Sequence, residues 1–215
     1  MIKAVIFDMD GVIVDTEPVH SKALEILIKQ YGKTPLFKET GLVHTAGGEE
    51  MDQKVMEAHK INDSTKNFTF RRREIFVKLL EEKLTPMPGF LPLIKTLKKE
   101  KIKIGLASNR ILKNISIIIK NLDIEAYFEV ITGWSEAIHH KPAPDIYLEA
   151  VKSLGIDPKF CLAIEDSENG VESAKSAGMK VIAVPNRFTK SQSFDRADLS
   201  VSSLERITLK NIQNL

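Results

Sequence analysis

The stretch VIFDMDGVIVD, residues 5–15, contains two carboxylates two positions apart, directly after an apolar run. Because side chains alternate along an extended chain, we expect Asp8 and Asp10 to point to one side and Met9 to the other. Residues 3–7 are almost continuously apolar, which is typical of a strand covered on both faces in a parallel sheet. The two carboxylates could simply end that strand, so their role has to be judged from the rest of the chain.

The pattern of an apolar run that stops at polar or turn residues recurs at residues 102–107, 127–131, 160–164 and 180–184. Helical patterns lie between these runs, at residues 112–122, 144–154 and 169–177. Strands that alternate with helices of about three turns are typical of βαβ units. The sequence therefore predicts an α/β fold with a doubly wound parallel sheet. A capping-box pattern at residues 202–205 predicts one further helix at the end of the chain.

One segment, residues 16–82, contains helical patterns and no convincing strand. In its first helix one apolar face is predicted to comprise Val19, Ala23, Ile26, Leu27 and Tyr31. Later helices are predicted around residues 49–59 and 70–80. We interpret the segment as an inserted α-helical domain, which divides the core domain into residues 1–15 and 83–215. The hinges are expected at residues 15–18 and 85–89.

Composition excludes several classes of protein. The chain has 215 residues, 43% of them hydrophobic, which suffices for one sizeable core with an insertion. The 31 basic and 29 acidic residues nearly balance, so we expect no nucleic-acid partner and no membrane partner.

The only cysteine, Cys161, lies in an apolar run and fits a reducing compartment. Asp8 and Asp10 interrupt the position where a signal peptide needs its apolar centre. We therefore expect a cytoplasmic protein, and a monomer.

Polar residues follow several of the predicted strands. Asp8, Ser108 and the pair Glu165 and Asp166 come directly after apolar runs. In open α/β sheets the ligand lies beyond the carboxyl ends of the strands, so these residues should converge on one edge. Two carboxylates about 4 Å apart repel by roughly 4 kcal/mol at an effective dielectric constant of about 20. A cation is therefore expected, and oxygen ligands favour Mg²⁺ over zinc.

The other polar groups indicate an anionic substrate. Lys141 lies in HHKPAPD, residues 139–145, where the prolines stiffen a loop before a helix. Ser108 and Asn109 offer a hydroxyl and an amide. A fixed ammonium, small donors and Mg²⁺ suit a phosphoryl group, so the expected partner is a small phosphorylated metabolite.

Four motifs occur in this order along the chain: Asp-x-Asp-Gly, a strand-ending Ser, Lys-Pro and Glu-Asp-Ser-x-x-Gly. Together they resemble the motifs of the haloacid dehalogenase superfamily of phosphotransferases. The resemblance spans residues 5–185 and implies a Rossmann-like core. The helical insertion after the first motif is similar to that of members with a helical cap. These members include β-phosphoglucomutases and small-molecule phosphatases.

The resemblance also implies roles for individual residues. Asp8 would be the nucleophile that becomes an aspartyl phosphate, and Asp10 would be the general acid and base. Asp8 and Asp166 would bind Mg²⁺ together with the main-chain carbonyl of Asp10, and Glu165 would support the metal or its waters. The phosphate would be held by Ser108 and Lys141.

The inserted domain leaves alternatives open. His20 lies where β-phosphoglucomutases carry a functional histidine. Its side chain faces either the active-site cleft beneath the cap or away from it. Gly47, in HTAGGEE, matches a loop that helps capped members to select substrate, but the basic residues usual in mutases are missing there. The arginines at residues 71–73 either replace that charge or form an exposed helix face.

We expect a phosphatase of small phosphate monoesters, such as sugar phosphates. The alternatives are a β-phosphoglucomutase or related phosphomutase, and a non-catalytic module that binds a phosphometabolite.

Overall fold

The computed structural model describes residues 1–36 and 49–215. The chain divides into two compact units. The first comprises Met1–Asp15 and Leu84–Leu215, and the second comprises Thr16–Lys83. Among the residues described, none of the helices is long and apolar enough to cross a membrane.

The first unit is built on a parallel sheet. Its strands are β1 (Ala4–Phe7), β2 (Lys103–Ile111), β3 (Val130–Trp134), β4 (Cys161–Glu165), β5 (Lys180–Ala183) and β6 (Leu199–Ser200). They lie in the order β3-β2-β1-β4-β5-β6, and every neighbouring pair is parallel. The chain thus winds outward in both directions from β1, which confirms the predicted doubly wound sheet.

The second unit is helical in the part that the structure describes. It contains α1 (Glu17–Gln30), α2 (Glu49–His59) and α3 (Thr65–Leu79). Apolar residues of the three helices pack into one cluster that includes Leu27, Val55 and Phe68. The buried face of α1 differs from the predicted one, because Leu24 and Ile28 are buried while Val19 and Ile26 are only half-buried. Nearly continuous apolar residues in the middle of α1 fit more than one face, so periodicity alone could not fix its rotation.

Helices cover both faces of the sheet in the first unit. They are α4 (Phe90–Lys99), α5 (Leu112–Asn121), α6 (Asp145–Leu154), α7 (Glu168–Ser176) and α8 (Leu209–Gln213). On one face, Ala4 and Ile6 of β1 join a cluster with residues of α6 and α7. On the other face, the ring of Phe7 packs edge-on against Phe90 of α4, with centroids 5.4 Å apart. Alternate residues of β1 therefore serve opposite layers, as expected for a strand covered on both faces.

Several predicted boundaries were wrong. Strand β2 continues to Ile111, past Ser108, and β3 begins three residues later than predicted because Glu125–Tyr127 form a 3₁₀ turn. Near the end of the chain, Ser203 caps only a 3₁₀ turn, and the capping box of the last helix is formed by Thr208 and Asn211. Strand β6, only two residues long, was not predicted.

Candidate active site

The strand ends bring distant residues together at one edge of the sheet. Phe7, the last residue of β1, is paired with Leu106 of β2 and Ile164 of β4. The next residue, Asp8, donates its backbone N–H to the carbonyl of Ile164 at 3.0 Å. Asp8 therefore lies between β2 and β4 at the carboxyl end of β1, beside Glu165.

Three carboxylates form a buried group at this edge. Asp8, Glu165 and Asp166 each offer one oxygen, and these oxygens lie within 4.8 Å of one another. Burial raises the pKa of Asp8, although the nearby Lys141 acts in the opposite direction. Burial, together with the charges of Asp8 and Glu165, also raises the pKa of Asp166. Because three acids face one lysine and all offer oxygen ligands, the group fits a hard divalent cation.

Lys141 provides the positive charge in this group. Its ammonium nitrogen lies 2.6 Å from Oδ1 of Asp8, 2.7 Å from Oε1 of Glu165 and 3.0 Å from the carbonyl of Ala107. These contacts can use all three N–H groups of the ammonium. Burial alone would lower the pKa of Lys141, but the adjacent carboxylates outweigh this effect and raise it. Lys141 is therefore held as a cation against Asp8.

Glu165 is fixed by its neighbours. Its Oε1 also accepts a hydrogen bond of 2.6 Å from the hydroxyl of Tyr147, a fully buried residue of α6. Gly170, near the start of α7, comes so close that a Cβ atom there would lie 2.0 Å from the carboxyl carbon of Glu165. Tyr147 and Gly170 thus set the position of Glu165, and through it the position of Lys141.

Ser108 and Asn109 lie next to this group. Ser108 is buried, and its Oγ accepts the backbone N–H of Arg110 at 3.2 Å. Asn109 is exposed, and its Oδ1 accepts the backbone N–H of Lys141 at 3.0 Å. In this structure the amide of Asn109 therefore orients the loop that carries Lys141.

Asp10 does not join the buried carboxylates through its side chain. Its carboxylate is bound by Arg110, with Nε 2.7 Å from Oδ2 and a terminal guanidinium nitrogen 2.9 Å from Oδ1. Arg110 comes from β2, the strand next to β1. The side chain of Asp10 is thus held in a bidentate ion pair.

Asp166 is oriented by the loop after β5. The side-chain amide of Asn186 donates to Oδ2 of Asp166 at 2.6 Å, while its oxygen accepts the backbone N–H of Phe188 at 2.8 Å. Because the carboxylate needs a donor and the backbone N–H needs an acceptor, these two contacts fix the orientation of the amide. A Cβ atom on Gly11 would lie 2.3 Å from Oδ2 of Asp166, so a side chain at position 11 would collide with Asp166.

The residues singled out in the helical unit are involved in contacts of that unit. The ring of His20 stacks on Phe76 with centroids 3.9 Å apart. Arg71 lies over the ring of Tyr31 and donates to the side chain of Gln30. Gly47 lies outside the described residues.

The second arginine of the triplet, Arg72, is buried in an ion pair with Asp52. Its two contacts with the carboxylate measure 2.6 and 3.1 Å, and Thr69 donates to the same carboxylate at 2.6 Å. Arg72 is therefore committed to the interior of the helical unit, which neither interpretation of the triplet expected for this residue, whereas Arg73 is exposed.

Among the residues that the structure describes, sequence reasoning missed Arg110, Tyr147 and Asn186, which contact the site. Asn186 follows β5, so the same rule that selected Glu165 could have found it. Arg110 is two residues after Ser108, but only the course of β2 shows that it reaches Asp10. Tyr147 resembles any apolar residue on the buried face of a helix.

Known proteins resemble this chain over most of its length. The phosphorylated carbohydrates phosphatase of Thermotoga maritima is 36% identical over 182 residues, covering 84% of this chain and 83% of that protein. The β-phosphoglucomutase of Bacillus subtilis is 34% identical over 216 residues, covering 97% and 92%.

Solved structures agree with this likeness. A variant of CbbY from Rhodobacter sphaeroides in complex with xylulose-(1,5)bisphosphate has a TM-score of 0.81 at 28% identity, covering 99% of each chain. The family model described as haloacid dehalogenase-like hydrolase matches residues 5–184, which include every strand-end residue described above except Asn186. The chain therefore belongs to the haloacid dehalogenase-like hydrolase family.

Proposed function

We propose that this protein is a Mg²⁺-dependent phosphatase that hydrolyses small phosphate monoesters through an aspartyl phosphate on Asp8. The observation that supports this most directly is the contact between Lys141 and Asp8 inside a buried group of three carboxylates. A carboxylate attacks an anionic phosphoryl group only when nearby cations offset the charge of both reactants. Lys141 is such a cation, and it is held in place by Glu165.

We assign Mg²⁺ to Asp8 and Asp166, with the main-chain carbonyl of Asp10 as a further ligand and Glu165 in support. When bound, the ion would neutralise charge on the phosphoryl oxygens. The excess of buried carboxylates over ammonium groups supports this assignment. Asn186 would keep Asp166 oriented toward the ion, since metal-binding carboxylates are themselves hydrogen-bonded.

The reaction proceeds in two displacements. A carboxylate oxygen of Asp8 forms a bond to phosphorus while the bond between phosphorus and the ester oxygen breaks, and Asp10 gives the departing alcohol its proton. Water then attacks the phosphorus of the aspartyl phosphate, and Asp10 takes a proton from that water. Inorganic phosphate leaves and the carboxylate of Asp8 is restored. Ser108 and Lys141 would hold the phosphoryl oxygens in both steps.

Sugar phosphates are the proposed substrates, because two of the relatives are named for phosphorylated carbohydrates or a sugar phosphate reaction. The helical unit, Thr16–Lys83, would act as the cap that selects among them, with His20 and Gly47 as candidate contacts. A phosphomutase must also hold the distal phosphate of a sugar bisphosphate. The basic residues usual in mutases are missing around Gly47, and Arg72, one candidate replacement for them, is paired with Asp52, which supports hydrolysis over isomerisation.

The test is phosphate release from a panel of sugar phosphates and other small monoesters, with Mg²⁺ or with EDTA, for the wild type and Asp8→Asn. We expect release that requires both Mg²⁺ and Asp8. Isomerisation of β-glucose 1-phosphate that exceeds phosphate release would establish the phosphomutase instead. Stoichiometric binding of a phosphorylated metabolite without any turnover would establish the non-catalytic module.

We also propose that the protein works as a monomer in the cytoplasm. The single, buried Cys161 fits a reducing compartment. Size-exclusion chromatography with light scattering tests the oligomeric state, and cell fractionation tests the location. A dimeric mass, or recovery outside the cytoplasmic fraction, would contradict this part of the proposal.

A further inference from the structure

Arg110 occupies both oxygens of the Asp10 carboxylate. A bidentate contact between a guanidinium and a carboxylate is among the stronger hydrogen-bonded pairs in proteins. The pair is only partly shielded, with exposed fractions of 14% for the arginine side chain and 39% for the aspartate side chain. A small anion could therefore compete for the guanidinium from solvent.

The position of Arg110 is built into strand β2. The pairing of β2 with β3 passes from Ser108 opposite Gly133 to Ile111 opposite Trp134, so the register shifts at Asn109 and Arg110 and β2 bulges there. Such a bulge redirects side chains and is frequent beside active sites. The bulge depends on close packing, because a Cβ atom on Gly133 would lie 2.7 Å from the carbonyl oxygen of Arg110.

This contact conflicts with the role proposed for Asp10, on which the present inference rests. Asp10 has to direct an oxygen at the ester oxygen of the substrate, yet both of its oxygens are bound to Arg110. Because a bidentate contact fixes the plane of the carboxylate, turning Asp10 toward the ester oxygen would disrupt its contact with Arg110. A new partner for the guanidinium would offset the loss of the ion pair.

The phosphoryl group of a bound substrate is a suitable partner. Ser108, which would hold that group, accepts the backbone N–H of Arg110 at 3.2 Å, so Arg110 adjoins the phosphate-binding residues. A guanidinium recognises phosphate with the same paired donors that it uses for a carboxylate. We propose that Arg110 exchanges partners: it holds Asp10 in the free enzyme and turns to the phosphoryl group when substrate binds, which releases Asp10.

The exchange makes the substrate itself the trigger that frees Asp10. It also predicts competition, since Asp10 and the phosphoryl group cannot both occupy the paired donors of Arg110. Replacing Asp10 should then strengthen phosphate binding, and most of that gain should depend on the presence of Arg110.

Calorimetric titration of inorganic phosphate in the presence of Mg²⁺ tests this competition. We expect Arg110→Met to weaken phosphate binding by about 10- to 100-fold, the effect of losing a hydrogen-bonded charged partner. Asp10→Asn should tighten binding, and the gain should shrink markedly in the double variant, as a double-mutant cycle can measure. Arg196→Met is the matched control, because Arg196 pairs with Glu172 outside the site. It should bind phosphate like the wild type.

Steady-state kinetics give a second readout. Arg110→Met should raise KM by about tenfold or more while kcat is retained, because the lost contact is made to bound substrate and Asp10 is freed. Arg110→Lys should reverse part of this rise in KM. It replaces Arg110→Met in the test if the methionine variant does not fold. Asp10→Asn should lower kcat instead.

Unchanged phosphate affinity in Arg110→Met would overturn the exchange. A fall in kcat with KM unchanged would also overturn it, since Arg110 would then only position Asp10. The calorimetric arm needs no turnover, so the two proposals can fail separately. A wild type that binds phosphate but hydrolyses no ester would contradict the proposed function, and the phosphate affinities would still decide the exchange.

Discussion

The ammonium nitrogen of Lys141 lies 2.6 Å from Oδ1 of Asp8, although the two residues are 133 positions apart in the sequence. Their side chains are almost entirely buried, with exposed fractions of 5% and 11%. The same ammonium contacts Glu165, which is itself held by Tyr147. Charge neutralisation at Asp8 therefore depends on a chain of buried contacts that converge on a single lysine.

Replacing Lys141 by methionine should destabilise the metal-free protein. Removing one partner of a buried ion pair leaves the other charge uncompensated and typically costs about 3–5 kcal/mol. Urea denaturation in EDTA measures the loss through the fluorescence of Trp134, the only tryptophan, which lies in the same unit. Mg²⁺ should restore part of the lost free energy of unfolding, and phosphatase activity should be lost.

The control for this variant is Lys159→Met. Lys159 pairs with Asp157 at 3.0 Å, but both side chains are largely exposed, so little stability should depend on the pair. Equal denaturation midpoints for Lys141→Met and Lys159→Met would show that the buried contacts are not needed for stability.

Gly170→Ala should disturb the site without touching a charged group. The added Cβ atom would lie 2.0 Å from the carboxyl carbon of Glu165, so either Glu165 or α7 must move. We expect a loss of about 1–3 kcal/mol of unfolding free energy, as for overpacked cores, and a lower rate of phosphate release. Alanine is the better helix former, so intrinsic helix propensity cannot account for such a loss.

Gly155→Ala is the comparison for that variant. Gly155 ends α6 with a φ of 66°, and apart from its chain neighbours nothing lies within 4 Å of a Cβ atom built there. Its replacement should cost roughly 1 kcal/mol of backbone strain and leave activity intact. Full activity in Gly170→Ala would mean that the position of Glu165 is not critical.

Binding of Mg²⁺ should stabilise the protein, and EDTA should remove the effect. A ligand at 100 times its dissociation constant adds about 2.7 kcal/mol to the free energy of unfolding. Asp166→Asn should abolish most of the shift in melting temperature. Asn186→Ala should weaken Mg²⁺ binding by about 10- to 100-fold, because Asn186 holds Oδ2 of Asp166 at 2.6 Å.

Gln192→Ala serves as the control for Asn186→Ala. Gln192 is an exposed residue of the same loop, and it accepts the backbone N–H of Glu168 at 2.9 Å. Its replacement should leave Mg²⁺ affinity unchanged. A Mg²⁺-dependent shift that survives in Asp166→Asn would contradict the assignment of the metal ligands.

In the helical unit, Arg72→Met should loosen the packing of α2 against α3. Asp52 would lose the bidentate partner of its fully buried carboxylate, at a cost of about 3–5 kcal/mol. Hydrogen exchange of peptides from both helices should accelerate. The double variant with Asp52→Leu should recover much of the protection, because buried ion pairs can be replaced by apolar residues at little cost. Protection in Arg72→Met equal to that of the wild type would contradict this account.

Much of the fold follows from the sequence because β1 and its neighbours are short apolar runs that stop at polar residues. That rule predicted the doubly wound sheet, and it selected the residues that meet at its edge, including Asp8, Ser108 and Glu165. Strand β6 has only two residues, Leu199–Ser200, and so carries no periodicity that could reveal it.

Other parts of the site depend on tertiary structure. A bulge leaves no mark on hydrophobic periodicity, so nothing in the sequence shows that Arg110 turns toward Asp10. Tyr147 fits the apolar face of α6, and its hydroxyl gains a role only because α6 packs on β2 and β3 close to Glu165. Buried Arg72 was unexpected because a row of arginines on a helix is usually exposed.

If Asp8 is the nucleophile, its side chain becomes phosphorylated during turnover. Wild type and Asp10→Asn would be mixed with Mg²⁺ and a monoester substrate, quenched in acid after short times, and examined by peptide mass spectrometry. We expect the peptide containing Asp8 to gain the mass of one phosphoryl group. The adduct should last longer in Asp10→Asn, and Asp8→Asn should never carry it. Phosphate release by the wild type with no adduct on Asp8 in either protein would rule out Asp8 as the nucleophile.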